Sequence, residues 1–167
     1  MLALLRRGVA RRSLPPSLLL GGPSGVGKRT MAVALAQALN CLEPERGDDS
    51  VDACGTCLSC RRIARGVHPD VVIVEPGDNG SIKIEQIRDV IDRAQYRPFE
   101  GRVRVVVIDE ADAAGADAQS ALLKTLEEPP SASRFVLVSS LPDQLLPTVR
   151  SRCPRLRFGP LTIQEVA

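Results

Sequence analysis

The sequence predicts an α/β fold, a five-stranded parallel sheet flanked by helices, with a four-cysteine module inserted after the first sheet-covering helix. Three observations carry that prediction. Five apolar runs punctuate the 167 residues, segments with helical period lie between them, and a glycine-rich loop joins the first run to the helix behind it. Strands alternating with helices give a parallel sheet covered on both faces. The length suits about one domain at roughly 150 residues per domain.

The opening "MLALLRRGVARRS" is basic, with neither a long apolar core nor a small-residue cleavage site, and reads as a short amphipathic helix rather than a signal peptide. The strand candidates are "SLLLGG" (17–22), "DVVIVEP" (70–76), "RVRVVVIDEA" (102–111), "RFVLVSS" (134–140) and "PRLRFGP" (154–160). Four of them are continuous apolar runs, the pattern of strands buried on both faces. Within 28–40, Met31, Ala34, Leu35, Ala38 and Leu39 fall on one helix face; Ile84, Ile87, Ile91 and Ala94 do so in 84–96, and Ala118, Leu122, Leu123 and Leu126 in 116–127. The prolines of "EEPP" (127–130) stop that last helix, because proline clashes with the preceding turn and donates no amide. The stretch 42–53 reads as a solvated acidic loop, and "LTIQEVA" (161–167) as the first turn of a further, truncated helical domain. The main domain is therefore expected over 1–160, with the cysteine module at about 41–62.

Composition narrows the function classes. One Tyr, three Phe and no Trp argue against a surface that stacks single-stranded bases on rings. A net charge of +2 is too balanced for an autonomous nucleic-acid binder, so any DNA contact would be local or shared among subunits. No run of 18 apolar residues exists, no spanning helix is expected, and a cytoplasmic location follows as the expectation.

Gly22, Gly27 and Lys28 fit G-x-x-x-x-G-K, with Gly25 inside the loop, between a strand and a helix as a phosphate-binding loop requires. Glycines let the backbone wrap phosphate oxygens, amides at the helix N-terminus point at the anion, and Lys28 would reach the β and γ phosphates of ATP. Arg29 stands where such loops carry the hydroxyl that ligates Mg²⁺. It offers five donors and no acceptor. Thr30 lies one step along the helix, about 100° away, and does not simply replace that hydroxyl. Weak Mg²⁺ binding and slow or absent hydrolysis are expected, while nucleotide binding survives on the amides and Lys28.

"VVVIDEAD" (105–112) ends a buried strand in two carboxylates; downstream of a phosphate loop, Asp109 would hold magnesium and Glu110 would polarise an attacking water. Ser139 and Ser140 end the next strand, beside the expected phosphate site. Cys41, Cys54, Cys57 and Cys60 follow C-x12-C-x2-C-x2-C, which closes a tetrahedral Zn²⁺ site; a third cysteine in register and a fourth nearby argue against a redox C-x-x-C. Cys153 reads as a lone buried thiol and His68, in "HPD", as structural.

Together, "GGPSGVGK", the inserted cysteines, "HPD", "VVVIDEAD", "ALLKTLEEPP" and "SRC" (151–153) resemble the bacterial clamp-loader subunits of DNA polymerase III across nearly the whole chain. The resemblance implies a P-loop AAA+ fold, a zinc module and the opening domain of a three-domain subunit. "GKR" and the short lead-in look like the delta-prime type, in which the phosphate loop is often degraded. It implies partners of gamma/tau and delta types, a sliding clamp and, through the complex, primed DNA. It also implies that Arg152 acts in trans as an arginine finger on a neighbour's ATP. Arg150 and Arg155 read as surface residues, or else as interface or DNA-phosphate contacts. A gamma/tau-type ATPase and a zinc-containing DNA-binding module are the competing readings.

Overall fold

The computed structural model describes residues 2–160, so the helical start expected at 161–167 lies outside the described residues. Five strands form one parallel sheet: β1 (Ser17–Gly21), β4 (Val71–Val74), β5 (Arg104–Ile108), β6 (Ser133–Ser139) and β7 (Arg155–Arg157), in the order β4-β5-β6-β1-β7. The ladder in β5 begins at Arg104 rather than at 102. The residues before it are taken by a side chain: the amides of Arg102 and Val103 donate to Asn40 Oδ1 at 2.9 and 3.1 Å.

Strand period and two-sided burial account for the apolar runs. Leu19, Val106, Ile108, Phe135 and Leu137 enter one core with α4 (Ile84–Ala94) and α5 (Ala116–Glu127). Their chain neighbours Leu18, Leu20, Val105, Val107, Val136 and Val138 enter the opposite core with α1 (Leu2–Ala10) and α2 (Lys28–Asn40). Successive strand side chains point to opposite faces, so a strand covered on both sides needs apolar residues at every position.

The stretch expected as a solvated loop holds some structure. Two short strands, β2 (Glu45–Arg46) and β3 (Val51–Asp52), pair antiparallel, and Val51 is buried. Arg6 of α1 pairs with Asp52, and Arg11 reaches Asp49 through two bonds of 2.9 and 2.7 Å. A helix, α3 (Leu58–Ala64), follows the cysteine turn, and a four-residue helix, α6 (Pro147–Arg150), precedes "SRC". Both were too short to show a period in the sequence.

Buried polar side chains fasten the N-terminal edge of the sheet. Asn40, at the end of α2, also donates to Val103 O at 2.9 Å. Asp70, fully buried just before β4, accepts the amides of Phe99, Glu100 and Gly101 at 2.6, 2.8 and 2.7 Å. It also accepts from Arg104 Nη2 at 3.1 Å. His68 is structural here: its Nδ1 accepts the Asp70 amide at 3.1 Å and its Nε2 lies 3.2 Å from Ser59 Oγ. Burial pushes the Asp70 carboxyl up, but the three amides and Arg104 outweigh it and hold its pKa below the ordinary carboxylate value.

A depressed folded-state pKa contributes stability that is complete above the unfolded pKa, about 3.9, and is lost as pH falls through the folded value. Asp70→Asn should therefore cost about 3 kcal/mol in urea unfolding at pH 7, since it leaves Arg104 and three amides under-satisfied. The gap between wild type and variant should narrow at acid pH. Equal stability at pH 7 would remove Asp70 from this role.

Candidate functional site

The opposite edge of the sheet carries the chemistry-bearing residues. A cleft of about 550 Å³ is lined by Ser24, Gly25, Gly27, Lys28, Arg29 and Thr30 from the phosphate loop and α2. Asp109, Glu110 and Asp112, which follow β5, face them together with Ser140, which follows β6. This is the carboxyl end of a parallel sheet, where ligands of open α/β folds bind.

The loop has the backbone such a site needs. Gly27 precedes α2 at φ 85°, a left-handed conformation costly for any residue with a Cβ. Gly22 does something else: a Cβ there would fall 2.2 Å from the carbonyl oxygen of Phe158, so this glycine lets the segment after β7 pass close by. Gly22 is absent from the cleft lining, whereas Gly25 and Gly27 belong to it. Lys28 is buried, and its Nζ donates to Pro23 O at 2.5 Å and to Ser140 Oγ at 3.3 Å. Burial lowers its pKa, opposed by Asp109 and Asp112.

The acids are arranged by register. β4 and β5 pair in parallel with Val74 opposite Ile108, so the next residues, Glu75 and Asp109, emerge side by side. Arg29 bridges them. Its Nη1 is 2.9 Å from Asp109 Oδ2 and also pairs with Glu75 Oε1. The other oxygen of Asp109 accepts the Glu110 amide at 3.0 Å. Desolvation lowers the Arg29 pKa, but the two carboxylates more than offset it and the net shift is upward. Glu110 itself is exposed and sits at φ 50°, ψ 49°, a left-handed conformation that costs a non-glycine residue on the order of 1 kcal/mol. Asp112, unremarked in the sequence, accepts Ser139 Oγ at 2.5 Å and the Ser140 amide at 3.1 Å. It ties the end of β6 to the turn after β5. Glu75 was missed as well; its only signal is the parallel register.

These residues suit a polyphosphate: open glycine backbone, a helix N-terminus and a lysine line one cleft. They do not suit Mg²⁺ as they stand. Both Asp109 oxygens are engaged, one by a guanidinium, and position 29 supplies no acceptor.

The four predicted cysteines converge. Their sulfurs all lie within 4.8 Å of one another, with Cys41 Sγ 3.5 Å from Cys54 Sγ and 3.9 Å from Cys57 Sγ. That is too long for a disulfide, whose sulfurs are about 2.05 Å apart. Thiolates at about 2.3 Å around one tetrahedral ion would be separated by nearly the observed distances. Backbone amides prepare the ligands: Cys54 N donates to Cys41 Sγ, Cys57 N to Cys54 Sγ and Cys60 N to Cys57 Sγ, at 3.3, 3.3 and 3.4 Å. The Cys57 and Thr56 amides bring the Cys54 thiol down to about 6, whereas burial pushes Cys41 and Cys60 up. Such a cluster can hold a metal ion. Cys153 lies apart, a buried thiol raised to about 11 by burial.

Arg152 is not part of the cleft. It follows α6, where its Nη1 donates to Thr148 O at 2.7 Å and its Nη2 pairs with Glu127 at the end of α5. Arg150 and Arg155 both lean toward Asp143, at 3.3 and 3.7 Å.

Residues 1–162 match the family model described as DNA polymerase III, delta subunit. The chain is 39% identical over 136 residues to DNA polymerase III subunit delta' of Pseudomonas aeruginosa, covering 81% of this chain and 40% of that protein. Against subunit tau of Escherichia coli it is 35% identical over 166 residues, covering 99% and 25%. Against subunit delta' of Bacillus subtilis it is 35% identical over 161 residues, covering 96% and 47%. The chain thus spans a quarter to about half the length of these relatives. A gamma subunit-related protein of Thermotoga maritima superposes with a TM-score of 0.65 at 21% identity, over 95% of this chain and 45% of that one. The RuvB Holliday junction branch migration motor of the same organism gives 0.57 at 19%, over 99% and 45%. Both likenesses establish the fold, a five-stranded parallel sheet flanked by helices.

Metal analysis of the purified protein should find about one ion per chain held by the cysteines. Chelation, or Cys57→Ser, should lower Tm by at least about 5 °C, the shift worth roughly 2 kcal/mol in a domain of this size. Metal-free protein with an unchanged Tm would overturn the assignment.

Proposed function

Because the chain belongs to the bacterial DNA polymerase III clamp-loader family of delta-prime, gamma and tau subunits, we propose that it serves as a delta-prime-type subunit. In this role it helps place a sliding clamp on primed DNA during replication in the cytoplasm, among subunits of gamma/tau and delta types. Its own ATP hydrolysis is weak or absent, and Zn²⁺ is the ion of the cysteine cluster.

One observation carries the reading: the two halves of an ATPase mechanism lie apart. The cleft holds Lys28, Asp109 and Glu110, with Arg29 across the position a metal would take, while Arg152 is outside its lining, just after α6. An arginine unable to serve its own cleft is suited to a neighbour's. A planar guanidinium fork can neutralise charge on a transferring phosphoryl group. Its tether to Glu127 is a partly exposed ion pair, worth at most about 1 kcal/mol, so a γ-phosphate could recruit it readily. The gamma/tau-type ATPase remains a second reading, favoured by the intact Gly27–Lys28 pair and the match to subunit tau.

Two measurements separate them. The isolated chain should show no Mg²⁺-dependent ATP turnover above background, and robust turnover favours the ATPase reading. Arg152→Ala should remove the activity of the site it faces in the reconstituted complex, since such a finger is worth about 10³–10⁵ in rate there. Assembly should persist on gel filtration. An unchanged rate takes Arg152 out of the mechanism.

A further inference from the structure

We propose that Arg29 is a built-in cation standing in for the magnesium ion, so that this cleft takes a nucleoside polyphosphate as the metal-free anion. The proposal rests on reading the loop as a nucleotide site, not on Arg152 acting in a neighbour.

Two adjacent parallel strands place Glu75 and Asp109 side by side, and α2 delivers a guanidinium to both. That guanidinium is one residue from Lys28, within the same first turn. Nη1 is the atom that pairs with both acids, and Nη2 and Nε donate no hydrogen bond to protein among the described residues. An arginine fork that gives one edge to carboxylates keeps its other donors for a second acid, and phosphate oxygens fit that geometry bidentately. The Arg29 side chain is 52% exposed and Asp109 only 12%, so the carboxylate end is the anchored one and the cation stays within reach of the cleft.

Charge balance sets the consequence. Mg²⁺ would bring two positive charges and demand near-octahedral oxygen ligands, whereas Arg29 brings one charge already neutralised in part by its carboxylates. Admitting the ion means expelling a guanidinium held by two acids and leaving it close to another cation. A nucleotide that arrives complexed with magnesium must shed the ion or displace Arg29. Either route costs affinity, so magnesium and this site compete for the nucleotide.

Isothermal titration of the purified chain with ATP, in EDTA and in excess Mg²⁺, tests this directly. Wild type should bind ATP in EDTA, with an affinity lowered by Mg²⁺. Arg29→Thr, which restores a hydroxyl and frees Asp109, should reverse the dependence, binding about tenfold more tightly with Mg²⁺ than without it. Lys28→Ala should abolish binding and so locate the ligand in this loop. Arg29→Lys serves if the threonine variant is poorly folded: it keeps the charge but loses the fork, and should bind more weakly in EDTA and gain nothing from Mg²⁺. Wild-type affinity that is unchanged or rises with Mg²⁺ overturns the proposal, as does absence of binding in EDTA. Neither result bears on Arg152, whose test is read in the assembled complex.

Discussion

Between Asp109 and Glu75 sits a guanidinium from the chain itself, and the rest of the cleft is organised around that ion pair. Arg29 neutralises two carboxylates that would otherwise repel each other at the carboxyl edge of adjacent strands. It fixes the rotamer of the acid best placed to receive a metal. Lys28, next to it in the chain, donates to Pro23 O and Ser140 Oγ. The outcome is a phosphate loop whose amides and lysine remain in place but whose metal position is filled.

That arrangement depends on a sheet fastened at its other end. Asn40 and Asp70 engage six backbone groups between 99 and 103, just ahead of β5. With these ends held, the parallel register carries through five residues to present Glu75 beside Asp109. The site is thus positioned from the far edge of the sheet. Polar burial of this kind is costly when half-satisfied, so both residues belong to the structure rather than to the chemistry.

Much of this was legible beforehand, for physical reasons. The strands at 17–22 and 134–140 were visible because both sheet faces are covered and every residue had to be apolar. The cysteine cluster was visible because x2 spacings can deliver thiolates to one point from a tight turn. Glu75 was not, because partnership across a parallel pair leaves no spacing to read along the chain; only the register of Val74 with Ile108 reveals it. The ribbon at 45–52 escaped because its strands are two residues long, and it is held by Arg6 of α1 and by Arg11 just after that helix, both distant in sequence. Gly22 fitted a phosphate motif, yet its lack of a side chain is used to let Phe158 approach.

The proposed division of labour rests on these placements: a cleft lined by glycine backbone and Lys28 with Arg29 on its acids, and an arginine outside that cleft that we propose serves another chain's phosphate. The first half is the central claim. A high-resolution crystal structure grown with ATP and excess Mg²⁺ tests it most directly. The account predicts phosphates on the loop amides and Lys28, with the Arg29 guanidinium still on Asp109 and Glu75. A six-coordinate ion with oxygen ligands at about 2.0–2.1 Å, bound near Asp109 with Arg29 swung away, would contradict it.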